Sequence, residues 1–164
     1  MGQLEERGLR EKAKELILYY QKEAQAAFLT TLDPKGFPHT RAMMNLRNER
    51  AFPTAKALFE GHEEDFVTYF STVKRLEKLK HLSLNPKASV FYCHPAEWWS
   101  LLIKGTLETI DAEEVRKRIS VQEWRGFFPE GLLSSEPVVL RLNPLSAVGL
   151  CHIDGARYIF EFLG

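Results

Sequence analysis

Three basic residues stand where they could bind an anion: Arg41, inside the segment PHTRAMMNL, and the pair Lys74-Arg75, at the start of VKRLEKLKHLSL. Alternation along the first segment puts Thr40, Ala42 and Met44 on one face of a strand and Arg41, Met43 and Asn45 on the other. A guanidinium on a strand that otherwise reads as buried asks for an anionic partner. In the second segment, cations in the first turn of a helix work against its dipole unless solvent or an anion offsets them. Phosphate suits the arrangement, because guanidinium groups bind it bidentately and first-turn amides add donors. The alternative is a solvated basic face shared with Lys78 and Lys80, and the residues alone weigh the two readings equally.

Other chemistry finds no pattern. The chain has no GxSxG elbow, Walker loop, GxGxxG or HExxH motif, and no carboxylate pair placed for hydrolysis. His39, His62, His81, His94 and His152 are scattered without ligand spacing and read as surface or loop residues. Cys93-His94 and Cys151-His152 invite a zinc reading, but neighbours on a strand point to opposite faces, so no metal site is expected and the cysteines read as reduced core residues. No side chain is identified as a catalytic acid or base.

The elements that must position these residues follow from periodicity. Residues 4–24 show an apolar stripe at helical spacing, including Ala13, Ile17 and Tyr20. Ala26 to Leu32 and Pro38 to Leu46 flank the turn Asp33-Pro34-Lys35-Gly36 and form a hairpin. A short helix is expected at Thr54 to Glu60, a strand at Asp65 to Ser71, a helix at Val73 to Leu84 and a strand at Lys87 to Cys93. Trp98 to Ile110 reads as a long strand with a bulge or bend at Gly105, and Asp111 with Glu114 opens a helix. Residues 121–136 are irregular, with Trp124, Phe127 and Phe128 as further pocket candidates. Pro137 to Leu142 is a strand, Asn143-Pro144 a break and Ser146 to His152 another strand. Asp154-Gly155 then turns the chain into Ala156 to Phe162. Strands in hairpin order, with helices between or before them, give a single domain, mainly β: an antiparallel barrel with peripheral helices.

Composition limits the partners. The chain has 164 residues, with 22 Lys+Arg against 22 Asp+Glu, so it lacks the broad basic field of a nucleic-acid binder. No run approaches the length of a membrane span, and the amino terminus, charged from Glu5 onward, has no signal-peptide pattern; a cytoplasmic location is expected.

The ordered set AFLTTLDPKGFPHTRAMMNLRN, DFVTYFST, a basic-initiated helix ending in Asn85-Pro86, KASVFYC and WWSLLIKGTLETI resembles the pyridoxamine 5′-phosphate oxidase-like superfamily, closest to its general-stress-protein branch. The resemblance covers roughly Leu4 to Leu163. It implies a Greek-key split β-barrel, a homodimer and FMN bound in clefts between the subunits. Arg41 matches the family's phosphate-binding Arg, followed along the flavin by Ala42, Met43 and Met44. Tyr69, Phe70, Ser71 and Thr72 match the strand end lining the ring and ribityl chain, and Lys74 and Arg75 the second phosphate clamp. Trp98, Trp99 and Ser100 begin the strand that flanks the ring. Val73 stands where the family has Ser, Leu46 where the true oxidases have Lys, and their carboxy-terminal Arg/His motif is absent, so vitamin B6 oxidation is not implied.

The resulting expectation is an FMN-dependent oxidoreductase acting on a small molecule, with NADH or NADPH as electron donor. The alternative is a non-enzymatic flavin- or haem-binding or stress-response protein on the same scaffold. A nucleic-acid-binding barrel would need cations among the aromatics of DFVTYFS, which that segment lacks.

Overall fold

Asp33 closes the first hairpin: its carboxylate accepts the Lys35 and Phe37 amides at 2.8 Å each, and Gly36 takes φ +85°. The strands it joins are β1 (Ala26–Leu32) and β2 (Pro38–Met44), with Leu29 opposite Arg41. The computed structural model describes residues 3–73, 77–94, 96–110, 113, 115 and 137–163. Helix α1 (Gln3–Glu23) precedes the hairpin. After it come a 3-10 helix at Pro53–Phe59, β3 (Thr68–Val73), α2 (Glu77–Leu84), β4 (Lys87–His94), β5 (Trp99–Ile110), β6 (Pro137–Ile153) and β7 (Ala156–Leu163). The described strands form one antiparallel sheet in the order β2-β1-β4-β5-β6-β3, with β7 on the second half of β6. Contact between β2 and β3 brings its two ends together. The expected fold class, an antiparallel split barrel with few helices, is the one observed.

Several boundaries differ from expectation, each for a local reason. Asn143-Pro144 does not break the chain, because β6 is one strand of 17 residues. Its register with β5 shifts between Lys104 and Gly105, and such a bulge takes a proline without losing a ladder bond. Gly105 is required there, since a Cβ would lie 2.1 Å from the Asn143 carbonyl oxygen. β2 ends at Met44 rather than Leu46 because the Asn45 amide turns inward to donate to the carbonyls of Gln21 and Ala24 at 2.6 and 2.7 Å. β3 runs over Thr68–Val73 instead of 65–71, because the Asp65 carboxylate accepts the Val67 amide at 2.9 Å and holds that end as a turn. Val73 therefore belongs to β3, and α2 is described from Glu77. Asp154 and Gly155, at φ 52° and 78°, make the turn into β7.

The core lies between the inner face of the sheet and α1. Leu29, Phe70, Val90, Leu101, Ile103, Leu140 and Leu142 fill it from the strands. α1 adds Ala13 and Ile17, and Ile17 lies so close over Gly149 that any side chain there would collide with it. A second cluster, with Leu46, Phe59, Val67, Tyr69 and Val139, packs under the 3-10 helix. Between the clusters Arg47 is 3% exposed. Its Nε donates to the Val67 carbonyl at 2.9 Å, its Nη2 to those of His62 and Asp65 at 3.0 and 2.9 Å, and its guanidinium lies 4.6 Å from the Phe59 ring centre. Of the expected helix after Asp111, Glu113 and Val115 are described and helical; residues 116–136, with Trp124, Phe127 and Phe128, lie outside the described residues.

Candidate functional site

Arg41 projects from the inner face of β2, half-buried, as the alternation predicts. Its Nη1 donates to the Thr31 hydroxyl at 2.9 Å, and Thr31 Oγ1 lies 3.3 Å from His81 Nδ1 on α2. Thr31 Oγ1 accepts from Arg41 and has a second lone pair and a proton left for His81, so the three groups form one hydrogen-bonded chain. His81 is 6% exposed, so the sequence-based reading of it as a surface residue is corrected: it docks α2 on β1. The His39 ring packs edge-on, 5.1 Å from that of His81. Arg41 thus lies beside the helix that follows the Lys74-Arg75 segment. Lys74 and Arg75 themselves lie outside the described residues.

The other expected cofactor residues divide by face. Ala42 is exposed on the outer face, whereas Met43 is in the main core and Met44 is packed against the second cluster. Tyr69 packs edge-on against Phe59, with ring centres 5.2 Å apart, and Phe70 is fully buried in the main core. Ser71 and Thr72 close β3, and among the described residues their buried hydroxyls have no hydrogen-bond partner.

Trp98, Trp99 and Ser100 gather at the opposite end of the barrel. Trp99 is 4% exposed and stacks on Tyr20 of α1, with ring centres 4.8 Å apart, so it serves the core. Trp98 is 73% exposed and sits at φ 54°. Following the register from Arg41 through Leu29 and Val90 to Ile103 crosses three strand spacings, roughly 14 Å, and Trp99 lies about 13 Å further along β5. Arg41 points inward and Ser100 outward. One copy of the chain therefore does not gather both groups around one ligand.

Around Trp98 and Ser100 the outer face forms an open groove of about 390 Å³ that also takes in Phe91, Leu150, His152 and Arg157. The sequence-based reading missed the last two as a pair. The signal was available: the Asp154-Gly155 turn sets His152 directly opposite Arg157.

Comparison with known proteins follows from this geometry. Among solved structures the fold matches a protein related to general stress protein 26, of the pyridoxinephosphate oxidase family, from Clostridium acetobutylicum (TM-score 0.68, 15% identity, 92% of this chain and 95% of that one). It also matches general stress protein 26 from Bacillus anthracis (TM-score 0.61, 19% identity, 90% and 98%). A haem-binding protein from Mycobacterium smegmatis shares the fold as well (TM-score 0.62, 12% identity, 92% and 57%). No match was found among curated proteins. The sequence model of the family described as Pyridoxamine 5′-phosphate oxidase matches residues 9–151, most of the chain. The chain belongs to the pyridoxamine 5′-phosphate oxidase family.

Proposed function

We propose that the chain binds FMN and acts, as a homodimer, as an oxidoreductase on a small molecule, with NADH or NADPH as electron donor. The observation that carries this reading is that the buried hydroxyls of Ser71 and Thr72, directly ahead of Lys74 and Arg75 in the chain, have no hydrogen-bond partner among the described residues. A buried hydroxyl without a partner costs about 1–3 kcal/mol, which a polar ligand seated there offsets. Arg41, held by Thr31, would anchor the phosphate together with Lys74 and Arg75, while Thr72, on the Phe70 face of β3, would meet the ribityl chain and Ser71, on the opposite face, would bound the cleft from the Tyr69 side. Bound FMN would supply the hydride or electron transfer.

A second copy would complete the site. Ala42, Phe28, Phe91, Leu102 and Val148 form one cross-strand row on the outer face, with Phe28 and Phe91 36% and 39% exposed. Covering this row is favourable by the hydrophobic effect, and Trp98 to Ser100 of one copy would then flank the flavin anchored by the other. Pyridoxamine phosphate oxidation is not part of the reading, because Leu46, where the true oxidases have Lys, is buried in the second core cluster.

The test is flavin uptake by purified protein. FMN should bind, and Arg41→Ala should weaken it at least roughly tenfold while riboflavin, which lacks the phosphate, is unaffected. Equal losses for both flavins would remove the phosphate assignment, and no uptake of either would remove the flavin reading. Reduction of the bound flavin by NADH or NADPH separates the oxidoreductase from a carrier or sensor. A non-enzymatic role has the haem-binding structural neighbour as its support.

A further inference from the structure

We infer that His81 is a positioning residue for Arg41: through the Thr31 hydroxyl it fixes the direction of the guanidinium, so that helix α2 prepares the phosphate anchor. As a statement about phosphate binding this rests on the flavin reading above, whereas the positioning of Arg41 does not.

Strand register makes the Arg41 contact a diagonal one. Arg41 stands opposite Leu29 and Thr31 opposite His39, so the Arg41 side chain reaches two residues along β1 to donate to Thr31 Oγ1 at 2.9 Å. The guanidinium is thereby turned from Leu29 toward the Asp33 end of the hairpin. Arginine has more rotamer freedom to lose than most side chains, and a ligand that must order it binds less tightly for doing so. An anchor held beforehand avoids that loss.

Thr31 alone would hold it poorly, because a hydroxyl with one partner still rotates. What fixes this one is its second contact, to His81 Nδ1 at 3.3 Å. Both residues are buried, Thr31 at 1% and His81 at 6% exposure. Docking of α2 does not require an imidazole, since Leu79 and Leu82 already pack it against the main core. Burial of a polar ring calls for a polar partner, and the hydroxyl that receives Arg41 is that partner. On the other side of His81 lies the His39 ring, edge-on at 5.1 Å, with its Nε2 3.4 Å from the Asp33 carboxylate.

Two readouts test the assignment. In flavin-free protein, nitrogen NMR of the guanidinium should show hindered rotation about the Arg41 Nε–Cζ bond. His81→Leu should release it, and His81→Asn, whose side-chain amide can stand in for Nδ1, should keep it. In flavin titrations His81→Leu should weaken FMN roughly five- to tenfold with riboflavin unchanged, and His81→Asn should restore FMN. Thr31→Val should reproduce the Leu variant and Thr31→Ser the wild type, which keeps the test decisive if His81→Leu does not fold. A freely rotating Arg41 in the wild type, or rotation unaltered by the Leu and Val variants, would overturn the proposal. Equal losses of FMN and riboflavin in those variants would also overturn it, leaving His81 a packing contact. Hindered rotation that depends on His81, without FMN uptake, removes the flavin reading and leaves the positioning. FMN uptake with a phosphate preference untouched by either variant does the reverse.

Discussion

Arg47 and Arg157 show how differently one side chain can be used in a single barrel. Arg47 is buried, and its guanidinium is spent on the backbone carbonyls of His62, Asp65 and Val67, with the Phe59 ring beneath it. Those contacts hold the connection between β2 and β3, and they leave little of the guanidinium for a ligand. Arg157 lies in the open with its donors uncommitted, on a strand that would keep its place without it. Proximity to a motif is therefore a poor guide to role. Arg47 follows directly on Leu46, the last residue of the second-strand motif, yet its work is structural.

The contrast can be broken at several points. Arg47→Ala should be the most damaging change, because it leaves the buried Val67 carbonyl and the part-buried carbonyls of His62 and Asp65 without their donor, and a loss of about 3 kcal/mol or more in denaturant unfolding is expected. A near-neutral result would show that the loop stands without the guanidinium. Trp98→Gly should act in the opposite direction on stability, raising it by about 1 kcal/mol, because glycine adopts φ 54° without strain. A destabilised variant would mean that the indole itself packs the fold. Arg157→Gln should change stability by less than about 0.5 kcal/mol, measured in the same way, in keeping with its exposure.

The smallest effect concerns acid. Hydrogen bonds from Asn143, at 2.8 Å, and from Arg141, at 2.7 Å, hold the Glu108 carboxyl below its usual range. A lowered native pKa means stability that is present above the ordinary carboxylate range and lost as the pH falls through the lowered value. Glu108→Gln should flatten that part of the acid unfolding curve, by less than about 0.5 kcal/mol because the pair is partly exposed. An unchanged curve would remove the link.

Much of this was legible in the sequence. Asp33 to Gly36, Gly105 and Asp154-Gly155 each mark a backbone need that few residues meet, so turns and bulge could be placed, and alternation around Arg41 gave its face correctly. What escaped depended on partners far away in the chain. Arg47 binds backbone carbonyls, which carry no side-chain signature. Pro144 interrupts nothing because it faces Gly105 while Ser146 faces Lys104, which leaves Leu145 as the extra residue of a bulge on β6 itself. His81 reads as one residue of a polar helix until Thr31 is set beside it. Of the cations proposed for the site only Arg41 falls among the described residues, and the division of the site was not legible, since nothing in the order of residues shows that Arg41 and Ser100 lie on opposite faces.

The length of β6 also has a consequence for the order of assembly. The hairpins β1–β2, β4–β5 and β6–β7 join segments close in sequence, but among the described residues β3 pairs with Pro137–Leu142 at the start of β6. Contacts between such distant segments form late, after the entropy of closing the intervening loop has been met. As the chain leaves the ribosome, β3 waits as an unpaired edge until β6 arrives. The strand end that carries Ser71 and Thr72 is thus among the last to be secured, and pulse-labelled hydrogen exchange should find the amides of β3 protected after those of β4 and β5.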